Sequence, residues 1–92
     1  LEYLVERNRK KITAIITTFN VENEISNCLD SIKWVDEIII VDSFSTDCTE
    51  KICKKYGAKI FKRKYKYAAE QKNWILKKIK NPWVIILDSV TL

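Results

Sequence analysis

The residues best placed to do chemistry stand at the ends of apolar runs. Glu37-Ile-Ile-Ile-Val-Asp-Ser-Phe-Ser-Thr-Asp-Cys-Thr-Glu50 is an apolar stretch that stops on a carboxylate and breaks into a hydroxyl-rich turn before a helical pattern. It reads as a buried strand that delivers Asp42, followed by Ser43, to the rim of a parallel sheet. Ligands of open α/β sheets bind beyond the carboxyl ends of such strands, so Asp42 is a candidate ligand contact. A second run, from Ile12, ends in Thr17, Thr18 and Asn20, and a third, from Trp83, ends in Asp88.

These residue types exclude several chemistries. Gly57 is the only glycine, whereas a phosphate loop and the dinucleotide fingerprint both need glycines for close backbone approach to phosphate. No histidine is present, which removes the usual base of a serine hydrolase and the common zinc constellations. Cys28, Cys48 and Cys53 form no CxxC pair and read as reduced thiols, with Cys28 and Cys53 on the packed faces of helices. What remains is an edge of carboxylates, hydroxyls and a few cations, suited to a nucleotide base and ribose and to a metal-bound diphosphate.

The elements that must position this edge follow from periodicity. Residues 11–18 read as a strand, and residues 20–33 place Ile25, Cys28, Leu29 and Ile32 at helical spacing, with Asn20 or Asn23 as the cap. Residues 37–42 form the next strand. A helix over 46–56 ends at Gly57, with Asp47 and Glu50 as a capping-box-like pair at its start. A short strand at 58–62, a basic-aromatic loop at 62–67, a helix over 68–80 stopped by Pro82, and a strand at 83–88 complete the chain. Strand and helix alternation of this kind specifies a Rossmann-like parallel sheet, which gathers Thr17, Asp42 and Asp88 at one edge.

At 92 residues, 47% hydrophobic and 32% charged, the chain is one soluble domain with a thin core. Residues 1–10 form a polar lead-in without a signal-peptide pattern, and no apolar run approaches the roughly 20 residues of a membrane span. An intracellular, cytoplasmic location is expected. The net charge of +5 is compatible with nucleic acid, anionic lipid or a phosphorylated small molecule.

Five blocks in matching order, Ile12-Thr-Ala-Ile-Ile-Thr-Thr-Phe-Asn20, Cys28-Leu-Asp-Ser-Ile32, the Glu37 to Thr49 run, Tyr56-Gly-Ala58 and Ala68-Ala-Glu-Gln-Lys-Asn73, resemble the N-terminal half of family 2 glycosyltransferases. The similarity is strongest to the bacterial lipopolysaccharide and surface-polysaccharide branch. The resemblance implies a GT-A fold over residues 11–92 and transfer of a sugar from a nucleotide-sugar, UDP-linked in many members, to a glycan or lipid-linked acceptor. It places Thr17, Thr18, Asn20, Asp42 and Ser43 around the nucleoside, and Lys72 near the base or phosphates. It also implies Mg²⁺ or Mn²⁺ held by an Asp-x-Asp motif, of which this chain has Asp88 but Val90 at the second carboxylate position. Family members continue well beyond this segment, and the acceptor surface and catalytic base are expected there. Peripheral membrane association and homo-oligomer formation are compatible with this reading. A non-catalytic nucleotide-binding or assembly module and a basic nucleic-acid-binding domain stay open as alternatives.

Overall fold

The computed structural model describes residues 11–66 and 68–88. Within them, β1 (Ile12–Thr18), α1 (Ile25–Ser31), β2 (Glu37–Asp42), α2 (Thr49–Lys55), β3 (Lys59–Lys62), α3 (Ala68–Leu76) and β4 (Trp83–Asp88) alternate as the sequence pattern predicts. All pairings are parallel, in the order β3-β2-β1-β4. The chain therefore steps outward from β1 to β3, then crosses back to β1's other side. A helix returning in the opposite direction lies on the opposite face when crossovers keep one hand.

Side-chain alternation shows both faces filled. Ala14, Ile16 and Ile40 point toward α1 and α2, where they pack with Ile25, Cys28, Leu29 and Cys53. Ile15, Ile39 and Val41 point the other way and pack with Ile75 of α3, bordered by Phe61, Trp74 and Val84. The near-continuous Ile/Val runs of β1 and β2 are what a sheet covered on both sides requires.

The helices are shorter than periodicity predicts, for local reasons. The helix expected over 20–33 is observed at Ile25–Ser31, because the backbone N–H groups of Asn20, Val21 and Glu22 bond to side chains of the 43–49 segment instead. Neither Asn20 nor Asn23 is its cap; Glu24 occupies that position without a side-chain bond. The second helix begins at Thr49 rather than Thr46, and Glu50 pairs with Lys54 and Lys62 rather than closing a capping box with Asp47. The third ends at Leu76, where Lys78 N–H and Ile79 N–H bond three residues back and tighten the turn. The expected stop at Gly57 holds in detail. Gly57 adopts φ +77°, its N–H donates to Lys54 O, and Ala58 N–H donates to Cys53 O, the paired bonds of a glycine-terminated helix.

The two core thiols are inert by environment. Burial first, and then the nearby charge of Asp42, push Cys53 up to about 12, and burial also raises Cys28. Cys48 is exposed. At about pH 8, a thiol reagent should therefore modify Cys48 alone in the native chain, with Cys28 and Cys53 reacting only on unfolding; mass spectrometry of the labelled peptides reads the outcome.

Candidate functional site

Asp42 organises the carboxyl edge of the sheet. Its side chain is fully buried, and the donors around it are Thr18 Oγ1 at 2.6 Å, Ser45 Oγ at 2.6 Å and Ser45 N at 2.9 Å. A buried carboxyl group without donors costs several kcal/mol, so its partners are structurally obligatory. The ladder continues past the strands through Ser43 N–H to Thr18 O (3.0 Å) and Arg63 N–H to Asp42 O (2.9 Å). Thr18, Asp42 and Arg63 are thereby fixed side by side.

The loops after β1 and β2 are stitched together beyond this point. Asn20 N–H donates to Ser45 Oγ (2.8 Å), while Asn20 Oδ1 accepts from Thr46 N–H (2.7 Å). Val21 N–H donates to the buried Thr49 hydroxyl (2.9 Å), which in turn donates to Asp47 Oδ1 (2.6 Å). Asp47 Oδ2 accepts from Glu22 N–H (3.1 Å), and Glu22 Oε2 accepts from Cys48 N–H (3.3 Å). Each loop satisfies the other's backbone, which makes a rigid double ledge above the sheet. Desolvation alone would raise Asp47, but the hydrogen bonds from Thr49 and Glu22 outweigh it and hold the carboxyl below its usual range. The bond from Lys62, with that from Lys54, likewise lowers Glu50.

Two residues of the ledge were not anticipated from sequence. Phe44 has φ +61° and is 54% exposed, and Phe19, one residue past β1, is 57% exposed. A bulky side chain in the left-handed region is strained, and Lys62 Nζ lies over the Phe44 ring, 5.9 Å from its centre. The available signal was an aromatic in a turn otherwise built from Ser, Thr and Asp. Asn20, with φ +48°, is the residue type that tolerates that region.

The remaining predicted residues are placed unequally. Thr17 stands in register with Val41 on one side and Asp88 on the other. Asp88 ends β4, while Val90 lies outside the described residues. Lys72 is exposed on α3, and no described hydrogen bond or ion pair joins it to the ledge. One residue before it, Gln71 is fully buried with an amide that finds no partner among the described residues. Two cations of the basic loop are engaged: Lys62 pairs with Glu50 (2.5 Å), and Arg63 pairs with Glu70 while stacking 4.5 Å from the Trp74 ring centre; Lys64 and Lys66 are exposed. Among the described residues, no cluster of three or more acidic, cysteine or histidine side chains could hold a metal. Asp42 has hydrogen bonds on both of its oxygens, from Thr18 and Ser45.

Residues 13–89 match the model of glycosyl transferase family 2. The chain belongs to that family. It is 37% identical over 81 residues to an uncharacterised glycosyltransferase of Rickettsia typhi, covering 87% of this chain and 28% of the relative. It is also 30% identical over 83 residues to the lipopolysaccharide core biosynthesis glycosyltransferase LpsC of Rhizobium meliloti, covering 85% of this chain and 31% of that protein. Among solved structures, glucosyl-3-phosphoglycerate synthase of Mycobacterium tuberculosis, in complex with Mn²⁺, UDP and glucosyl-3-phosphoglycerate, superposes with a TM-score of 0.76 at 26% identity, over 92% of this chain and 35% of that one. The fold is the Rossmann-like GT-A fold, and the chain spans about a third of the length of the relatives it matches.

Two predictions follow from the ledge. Phe44→Gly should raise unfolding stability by about 1 kcal/mol by relieving the left-handed backbone, read by urea denaturation. Because Asp47 and Glu50 are lowered in the folded chain, their contribution to stability is full above the ordinary carboxylate range of about 4 to 4.5 and lost as pH falls through the lowered values. The denaturation midpoint should thus be flat near neutrality and fall in acid, and Asp47→Asn should flatten part of that fall.

Proposed function

We propose that this chain forms the donor-binding part of a glycosyltransferase that takes a sugar from a UDP-linked donor and passes it to a glycan or lipid-linked acceptor of a cell-surface polysaccharide. The observation that carries the reading is the cross-stitched ledge at the ends of β1 and β2. It lies beside the point where strand order reverses, between β1 and β4, where doubly wound sheets take their ligands.

In this reading the nucleoside lies over the ledge. Asp42 acts as a positioning residue: it accepts three hydrogen bonds from Thr18 and Ser45, and it holds Thr17, Thr18, Asn20 and Ser43 in place for the base and ribose. Phe19 offers a ring face on which a base can stack. Lys72, on the helix that starts at the same edge, would meet the phosphates as a mobile point charge. The presence of UDP in the mycobacterial structural neighbour supports this donor class, and the similarity to LpsC supports the acceptor class.

Transfer in such an enzyme is displacement at the anomeric carbon with departure of the nucleoside diphosphate. A divalent metal would offset charge on that leaving group, but the described residues do not assemble a site for it.

The reading is tested by calorimetric titration with UDP. The native chain should bind UDP in preference to ADP, and Asn20→Ala should weaken UDP by about fivefold or more through loss of the ledge. Lys72→Gln should weaken UDP by about fivefold and uridine hardly at all, since one exposed charge contributes about 1 kcal/mol. Equal affinity of native and variant chains would count against this placement.

A further inference from the structure

The edge opposite the ledge carries a different chemistry. Lys11, Lys59, Lys78 and Lys80 line a cleft of about 410 Å³ at the amino-terminal ends of the strands, on the α3 face, with Ile39 and Phe61 as its apolar lining. A second cleft of about 310 Å³, on the α1/α2 face of the same edge, adds Lys33 and shares Lys59. Asp36 and Glu37 also line both clefts, where Asp36 accepts from Ile12 N–H and Glu37 from Thr13 Oγ1; Lys59 lies 3.9 Å from Glu37 and Lys33 3.2 Å from Asp30, and the lysines still outnumber the carboxylates of the lining. Two tryptophans stand exposed at this edge, Trp34 at 58% and Trp83 at 59%. Trp34 is held there by its indole N–H, which donates to Ser31 O (3.1 Å).

Lysines near helix C-termini are often explained by the helix dipole. That account does not reach Lys11, Lys59 or Lys80, which lie before β1, at the start of β3 and in the connection to β4. The only arginine among the described residues, Arg63, is at the other edge and paired with Glu70. Among the described residues the cations that line the clefts are lysines, point charges that suit a diffuse layer of anionic headgroups. Tryptophan is the side chain favoured where an apolar phase meets water.

We propose that this lysine and tryptophan edge docks on an anionic phospholipid surface, leaving the ledge facing solution. The inference goes beyond the nucleotide reading and does not rest on it. The chain should sediment with phosphatidylcholine vesicles containing about one-third phosphatidylglycerol, not with pure phosphatidylcholine, and should be released as salt rises to about 0.5 M. Combined Lys59→Gln, Lys78→Gln and Lys80→Gln should weaken vesicle partitioning by about tenfold or more. Combined Lys51→Gln, Lys64→Gln and Lys66→Gln removes the same charge elsewhere and should weaken it by less than about threefold. Trp34→Ala leaves every lysine in place and should weaken binding to the anionic vesicles as well. Failure of the native chain to bind them, equal losses in the two lysine variants, or tighter binding to a single-stranded oligonucleotide than to the vesicles would overturn the proposal.

Discussion

A carboxyl group with no exposure to water must find donors, and at Asp42 that requirement shapes the whole functional edge. Three donors reach it, one from β1 and two from the loop that follows β2. Satisfying them fixes the relative height of the two strand ends and folds the 43–48 segment back over the sheet. Asn20, Glu22, Asp47 and Thr49 then complete the seam, and the short first turns of α1 and α2 are its consequence. Backbone donors that would have begun those helices are used between the loops instead. The charge of Asp42 also reaches into the core, where it adds to the burial that keeps Cys53 a thiol.

The sheet order gives this edge its place. β1 is flanked by β2 and β4, and the connections leave it in opposite directions with helices on opposite faces. At the carboxyl ends Thr17 stands in register with Val41 and Asp88, and Thr18 with Asp42. The hydroxyl and carboxylate seam lies at one edge and the lysine-lined clefts at the other, with Lys62 and Arg63 paired to Glu50 and Glu70 beside the seam and Asp36 and Glu37 in the clefts.

Much of the architecture was legible in the chain. Runs such as Ile38 to Val41 are too apolar for anything but a doubly covered strand, and Gly57 after two lysines marks a helix end without ambiguity. Helix starts were harder to place, because Asn20 and Asn23 have the composition of caps while their segment is claimed by contacts more than 20 positions away. Candidate residues at strand ends were legible for the same reason as the strands themselves. The task each performs was not: Asp42 reads from sequence as a ligand contact, and in the fold it also accepts three hydrogen bonds from Thr18 and Ser45. Phe44 was invisible as a special residue because its left-handed backbone depends on the loop geometry that Asp42 imposes. Lys72 was identified from resemblance, and it stands exposed on α3.

Whether the two loops act as one nucleotide-binding unit held by Asp42 is decided by an amide-resolved NMR titration of the labelled chain with UDP. Shifts in residues 17–22 and 43–48 should follow one common binding curve, with little change at the lysine edge. Shifts confined to the lysine clefts, or no response in either loop at millimolar UDP, would contradict such a unit.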